Sequence, residues 1–306
     1  MTSDFFTTDD GDIVLRAGTE PNSKHDFRVH KFILSLASPV FKDMFTFPQP
    51  SDQTLNEHPN IPIVDIPDSP EVLDTILRYI YPGAELPKIT KISILSALFS
   101  AVDKYNIPSM SPVLKESLKT FLPDDPFGVY IIACRFGFAE EKKQAAKLTK
   151  PGSFLHPPGN TETVQLISST DLLRLVQFVQ QREYEGRLKI GCHLDPIEVE
   201  FNTSCEHDGK GTRDYFSRLE EKVKLVFSAN PCAGRGDLFA VLDSIPDPPL
   251  GCDPAPMSGD WYRQTDEDDA YHCPLRPMAI RLRLADTAEE LRFLNEELLQ
   301  RFFGNV

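Results

Sequence analysis

The stretch Asp26-Phe27-Arg28-Val29-His30-Lys31-Phe32-Ile33-Leu34-Ser35-Leu36-Ala37-Ser38-Pro39-Val40-Phe41-Lys42-Asp43-Met44-Phe45 changes period part-way along. Asp26 to His30 alternates and reads as a strand. Lys31 to Ala37 places Phe32, Ile33, Leu36 and Ala37 at helical spacing. Ser38-Pro39 then starts a second helix, because serine suits an N-cap and proline the first turn. That helix carries Val40, Phe41, Met44 and Phe45. Upstream, Asp12 to Arg16 reads as a strand. A turn through Gly18 to Lys24 joins the two strands into a hairpin.

Downstream, Ile61 to Ile66 is a third strand, and Pro62 places it at an edge, since proline cannot donate to a ladder. Asp68 or Ser69 caps a helix carrying Val72, Leu73, Ile76, Leu77 and Ile80, which Pro82-Gly83 stops. Further helices carry Ile92, Leu95, Leu98, Phe99 and Val102, and then Val113, Leu114, Leu118 and Phe121. Strands followed by helices give an α+β order: a small sheet capped by a helical cluster. Pro126–Phe138 and Glu140–Leu148 continue as helices. Asp171–Tyr184, Asp214–Phe227 and Thr287–Phe303 show helical stripes, whereas Met278, Ile280, Leu282 and Leu284 alternate and predict a strand. The expected organisation is a short tail over 1–10, a first domain over 11–122, a helical extension over 123–150, and a mostly helical region over 151–306. Pro-rich loops interrupt that last region at 157–158 and 246–256.

Lys and Arg number 32 against 46 Asp and Glu in 306 residues, a formal charge of −14. The excess is spread along the chain: residues 1–122 hold 16 acids and 11 bases, residues 123–306 hold 30 and 21. A direct nucleic-acid binder normally shows a basic face, so DNA and RNA are not expected partners. No apolar run is long enough to span a bilayer. The acidic start MTSDFFTTDDGD does not read as a signal peptide, so the six cysteines are expected as reduced thiols in the cytoplasm or nucleus.

The 26–45 stretch resembles the BTB/POZ signature: an acid, an aromatic, His-Lys, then Leu, Ser, Phe and a final Met-Phe. The matching positions are Asp26, Phe27, His30, Lys31, Leu34, Ser38, Phe41 and Met44. Leu77 to Gly83 resembles the family's helix ending in Tyr-x-Gly, and Ala101 to Ile107 its next helix. The likeness spans about residues 9–122, and the overall layout is similar to large fungal BTB families. It implies a protein-interaction module that self-associates, recruits corepressors, or serves as a substrate adaptor for cullin-type ubiquitin ligases. Only about ten residues precede Gly11, so a dimer built by swapping an N-terminal arm is not expected. The helices of 126–148 resemble the pair that enlarges the cullin contact in adaptor members. Leu55-Asn56-Glu57 fits the adaptor family's hydrophobic-x-Glu motif.

Read from the residues themselves, Phe27, Val29, Leu34, Phe41 and Met44 are core. Asp26 and His30, at the strand–helix junction, are expected to pair and fix the turn, a structural role rather than a catalytic one. Phe45, Phe47, Leu55, Glu57 and Tyr105 are the candidate partner contacts, since aromatics dominate interface energetics. No phosphate loop, dinucleotide fingerprint, nucleophile elbow or zinc-protease motif occurs, so no enzyme activity and no cofactor is predicted. Cys192-His193, Cys205-x-His207 and His272-Cys273 offer zinc-type ligands at poor spacing, and no metal site is predicted. A zinc-stabilised or catalytic C-terminal domain stands as the alternative class, and a transcription co-regulator working through protein partners as the alternative binding module. The run Asp266 to Asp269 reads as a solvated loop.

Overall fold

A computed structural model of the chain describes residue 6 and residues 10–18, 24–46, 61–154, 165–204, 209–245 and 277–304. The contacts divide the chain into two units, with the break between Gly137 and Phe138.

The first unit is built on three strands, β1 (Ile13–Ala17), β2 (His25–Val29) and β3 (Ile63–Ile66), in the order β2-β1-β3. β1 runs antiparallel to β2, with Leu15 opposite Phe27 and Arg16 opposite Asp26, and parallel to β3, with Val14 opposite Ile63. The central strand is apolar throughout Ile13-Val14-Leu15 and all three are buried, as a strand covered on both faces should be. β3 lies at the edge, as Pro62 predicts, and the Pro62 carbonyl accepts from the Val14 N–H (2.9 Å).

Helices α1 (Lys31–Ala37) and α2 (Pro39–Thr46) fill the crossover between β2 and β3. They are followed by α3 (Pro70–Ile80), α4 (Ile92–Lys104), a 3₁₀ turn at Pro108–Met110, α5 (Ser111–Lys119) and α6 (Pro126–Phe136). Ser69 caps α3, its hydroxyl accepting from the Val72 N–H (3.4 Å), and Pro70 occupies the first turn. The stripes predicted for α3 and α4 point inward: Val72, Leu73, Ile76, Leu77, Leu95, Leu98, Phe99 and Val102 are all buried. In α5 Leu114 and Leu118 are buried, while Val113 is exposed.

Asp125 caps α6 by accepting from the Gly128 N–H (2.8 Å), and Gly137 closes the helix in the left-handed region at φ 70. A side chain at 128 would collide with the Asp125 carboxylate and Ile92, so this cap requires a glycine. Burial pushes the Asp125 carboxyl above its usual range, with the Gly128 N–H opposing. A carboxyl raised in this way holds its proton more tightly when folded, so its ionisation costs stability as pH rises. Asparagine keeps the capping acceptor without the charge. Asp125→Asn should therefore match or exceed the wild type in thermal stability at neutral pH and lose that advantage on acidification. Asp125→Ala should cost about 1 kcal/mol by loss of the cap. Melting curves across pH check both.

The second unit comprises α7 (Ala139–Leu148), a 3₁₀ turn at Pro151–Phe154, α8 (Ser169–Ser204), α9 (Gly209–Ala229), α10 (Arg235–Asp243) and α11 (Pro277–Phe303). α8 and α11 extend well beyond the stretches that show a clear stripe in the sequence. The strand expected over 278–284 is the first part of α11 instead. Ile280 and Leu284 are both buried, Leu282 between them is exposed, and the stripe continues through Ala288 and Leu291. The repeat that matters is four, and the apparent alternation arises because Leu282 is an outward leucine. Ile190, Phe216, Leu219, Val223, Phe227, Leu238, Val241, Leu284 and Leu291 belong to one apolar core. Gly186 on α8 lets the Phe227 ring lie directly on the helix backbone.

α6 packs on α4 in the first unit, and α7 packs on α8 and α11 in the second. Among the described residues no helix is long and apolar enough to cross a membrane.

Candidate protein-interaction surface

The signature residues first assemble a scaffold. Phe27, Leu34 and Phe41 are fully buried, and Met44 is half-buried rather than core. Ser38 is buried at the corner between α1 and α2. Its hydroxyl donates to the Tyr105 carbonyl (2.5 Å) and accepts from the Phe41 N–H (3.1 Å). One residue thus ends α1 through its N–H to the Leu34 carbonyl (2.9 Å), and its hydroxyl starts α2 and ties the corner to the end of α4.

Asp26 and His30 do not pair with each other. Four residues apart along an extended strand, they are separated by about 13 Å. Asp26 instead takes a bidentate fork from Arg16 directly opposite on β1 (2.7 and 2.8 Å). His30 is held by Tyr81: its backbone N–H donates to the phenol oxygen (2.7 Å), and Nδ1 lies 3.2 Å from the same atom. His30 Nε2 lies 3.6 Å from Asp10, and the Lys31 N–H donates to Asp12 (2.8 Å). Burial, with Asp12 and Asp10 nearby, pushes the Tyr81 hydroxyl up to about 12 against the His30 N–H. The phenol therefore stays protonated. Phe6 packs edge-on against both Tyr81 (5.2 Å) and Phe27 (6.1 Å).

Tyr105, expected as a partner contact, belongs to the core. It is 2% exposed, stacks on Phe41 (4.7 Å, 13°) and donates its hydroxyl to Asp68, which also accepts from Lys104. Burial, followed by the Asp68 carboxylate, pushes its hydroxyl far above the ordinary phenol range. Phe45 is half-buried and stacks on Phe41 from another side (6.1 Å, 11°). Phe47, Leu55 and Glu57 lie outside the described residues.

The surface left over is α1. Its seven residues send only Leu34 fully into the core. Phe32 and Leu36, one turn apart and so adjacent on the helix, are 72% and 73% exposed. Of the four residues read at helical spacing, Ile33 and Ala37 are half-buried, whereas Phe32 and Leu36 face outward. A helix this short has room for one inward anchor, and Leu34 takes it. The second unit has a comparable strip on α8: Leu173, Tyr184 and Leu188, spaced by eleven and four residues, are all more than half exposed on one helix side. Of the zinc-type ligands, Cys192 is an exposed free thiol. Cys205, His207, His272 and Cys273 lie outside the described residues, as does the acidic run 266–269.

A mixed three-stranded sheet with two short helices in its crossover and a helical cluster behind it is the arrangement the 26–45 stretch implies. Residues 5–122 match the BTB/POZ domain family. The chain carries a BTB/POZ domain over that span, followed by a mostly helical region. It is similar to TD and POZ domain-containing protein 1 of Mus musculus, 31% identical over 94 residues, covering 31% of this chain and 24% of the relative. It is also similar to Kelch repeat and BTB domain-containing protein 8. In Xenopus tropicalis the identity is 28% over 170 residues (53% of this chain, 26% of the relative), and in Homo sapiens 27% over 155 residues (48% and 24%). The chain thus spans about a quarter of the length of the curated relatives it matches. The Xenopus match covers more of the chain than residues 5–122 provide, so it takes in sequence beyond the domain.

Proposed function

We propose that the protein is a non-enzymatic adaptor that docks another polypeptide through its BTB/POZ domain, in the manner of a substrate adaptor for a cullin-type ubiquitin ligase, in the cytoplasm or nucleus. The observation that carries this reading is the exposed Phe32–Leu36 pair. Two large apolar side chains sit side by side in water on a helix held rigidly by Leu34, Ser38 and the α2 packing. Covering such a pair costs no backbone ordering, because the helix is already fixed, and leaves only the rotamer cost of two side chains. Phe45 borders on the same corner. Leu55 and Glu57 are retained as proposed contacts on the motif likeness alone, and Phe47 on its aromatic character. The helical unit then offers the Leu173–Tyr184–Leu188 strip to a second protein, such as a ligase substrate. The kelch-and-BTB relatives support this layout, since their match continues past the domain into helical sequence.

Affinity purification of the full chain with mass spectrometry tests the proposal. Phe32→Glu with Leu36→Glu, at positions where nothing depends on burial, should leave melting unchanged. Removing two interface anchors of this kind costs about 2 kcal/mol or more, roughly a 30-fold loss of partner recovery. Cullin recovered with the wild type and lost with the double variant supports the adaptor; corepressor recovered in its place favours transcriptional co-regulation. Undiminished recovery with the double variant would remove α1 from the interface.

A further inference from the structure

α8 leaves one long side uncovered. Leu173, Gln177, Gln180, Tyr184 and Leu188 follow one another at steps of four, three, four and four, the spacing of a single helix face. Leu173, Tyr184 and Leu188 are 60%, 63% and 51% exposed, and Gln177 and Gln180 are exposed as well. The face runs about 22 Å along the helix. It carries no charge, although 25% of the chain's residues are charged and a helix side turned to water normally carries them. Its borders do. Arg174 and Glu185 lie three turns apart on one border, about 20° from each other around the helix. Glu185 accepts from Gln181 on that border (2.6 Å), and Arg174 shares the field of Asp171, which Lys142 and Ser168 hold at 2.8 and 2.7 Å. On the opposite border Glu183 and Arg187 pair with each other (2.8 Å).

This face is its own complement. Turned end over end about a point between Gln180 and Gln181, it sets Leu173 on Leu188, Gln177 on Tyr184 and Gln180 on Gln181 of a second copy. The same rotation brings like borders together, so Arg174 meets Glu185 of the second copy, and the pair occurs twice. A two-fold contact requires this property: residue i meets j, and j meets i. Parallel pairing would stack each residue on itself and bring no acid opposite Arg174.

We propose that α8 pairs antiparallel with α8 of a second copy of this chain, which makes the helical unit a dimerisation device separate from the BTB/POZ domain. The assignment rests on the reading of the strip as a docking face and names the protein that docks there. Two chains of charge −14 repel each other, so self-association is least opposed at a face that buries no charge. Four leucines and two tyrosines leave water in the pair. Each glutamine amide carries both donor and acceptor and so can be answered by another amide or a phenol. The two Arg174–Glu185 contacts at the border fix the direction, as border charges do in coiled coils.

Sedimentation equilibrium of the full chain tests the pairing, with Phe32→Glu and Leu36→Glu present throughout so that α1 adds no contact. The chain should dimerise in the micromolar range. Leu173→Glu combined with Leu188→Glu, on side chains already in water, should leave melting unchanged and weaken the dimer at least about tenfold. Arg174→Glu should weaken it, and adding Glu185→Arg should restore it. Within one chain these two positions are about 16 Å apart along the helix, so recovery reports a contact between copies. A chain still monomeric at about 100 μM, a dimer indifferent to the leucine variants, or a charge exchange that fails to restore it overturns the pairing. A monomer whose strip binds a purified foreign protein, with binding lost in the same leucine variants, also overturns it while upholding the strip as a docking face.

Discussion

Arg182→Met should destabilise the helical unit by about 3 kcal/mol while leaving the BTB/POZ domain's own transition in place. Arg182 is the largest fully buried side chain of the described residues, and its acceptors are backbone carbonyls. Nη1 donates to Ala146 (3.3 Å) and Lys147 (2.9 Å), and Nη2 donates to Thr149 (2.5 Å), so the guanidinium closes the C-terminus of α7 from α8. Helix ends leave carbonyls without partners, and a cation there also answers the helix dipole. Burial pulls the guanidinium down to about 10, with Cys232 and Glu183 opposing. A base lowered on folding is carried as a cation at a cost below that value, and the cost is relieved as pH rises through it. Methionine removes this cost but orphans the Thr149 carbonyl and leaves the Lys147 carbonyl only the weak Cys232 thiol (3.9 Å), losses of about 1–3 kcal/mol each. The Ala146 carbonyl keeps the Thr149 N–H. The carbonyls outweigh the relieved charge, because removing one member of a buried polar set strands the rest. Hydrogen exchange should report the loss first in α7 and α8, and an unchanged exchange pattern there would contradict the assignment.

Phe41→Ala should cost about 3–5 kcal/mol in the first unit, the usual range for a buried phenylalanine. Phe41 is fully buried between Phe45 and Tyr105, and its own N–H is the group that Ser38 caps. Truncation leaves a void that the rigid α1–α2 corner cannot close, and it removes two ring stacks as well. Phe45→Ala is the contrast. Its ring is half-buried on the same stack, so the loss should be markedly smaller. Chemical denaturation of the two variants, compared by midpoint at equal slope, distinguishes them. Equal losses would mean that Phe41 is no deeper in the core than its neighbour.

The first unit was legible because its signals are local. Strand alternation, the Ser38-Pro39 and Ser69-Pro70 starts and the Pro82-Gly83 stop are each written in two to five residues. What failed there was pairing across space. Asp26 answers to Arg16 through strand register, and Tyr105 turns inward because α4 ends on Phe41; neither fact follows from spacing in the chain. Phe32 and Leu36 were visible as an i, i+4 pair, but periodicity says that a helix has an apolar side, not which side the protein covers. The second unit was harder for a physical reason. Its long helices alternate between neighbours, so their stripes shift along the length, and an outward Leu282 imitates a strand.

The mixed sheet has a consequence for biosynthesis. β1 is the middle strand, yet its parallel neighbour follows it by more than forty residues, after both crossover helices. On the ribosome, the hairpin of β1 and β2 emerges with the inner edge of β1 still bare, presenting unpaired amides and carbonyls beside Ile13, Val14 and Leu15. Such an edge invites another nascent chain or a chaperone to pair with it. The interval closes only when Ile63 to Ile66 leaves the exit tunnel. Slower translation of the segment between them should therefore raise aggregation and lower the yield of folded protein.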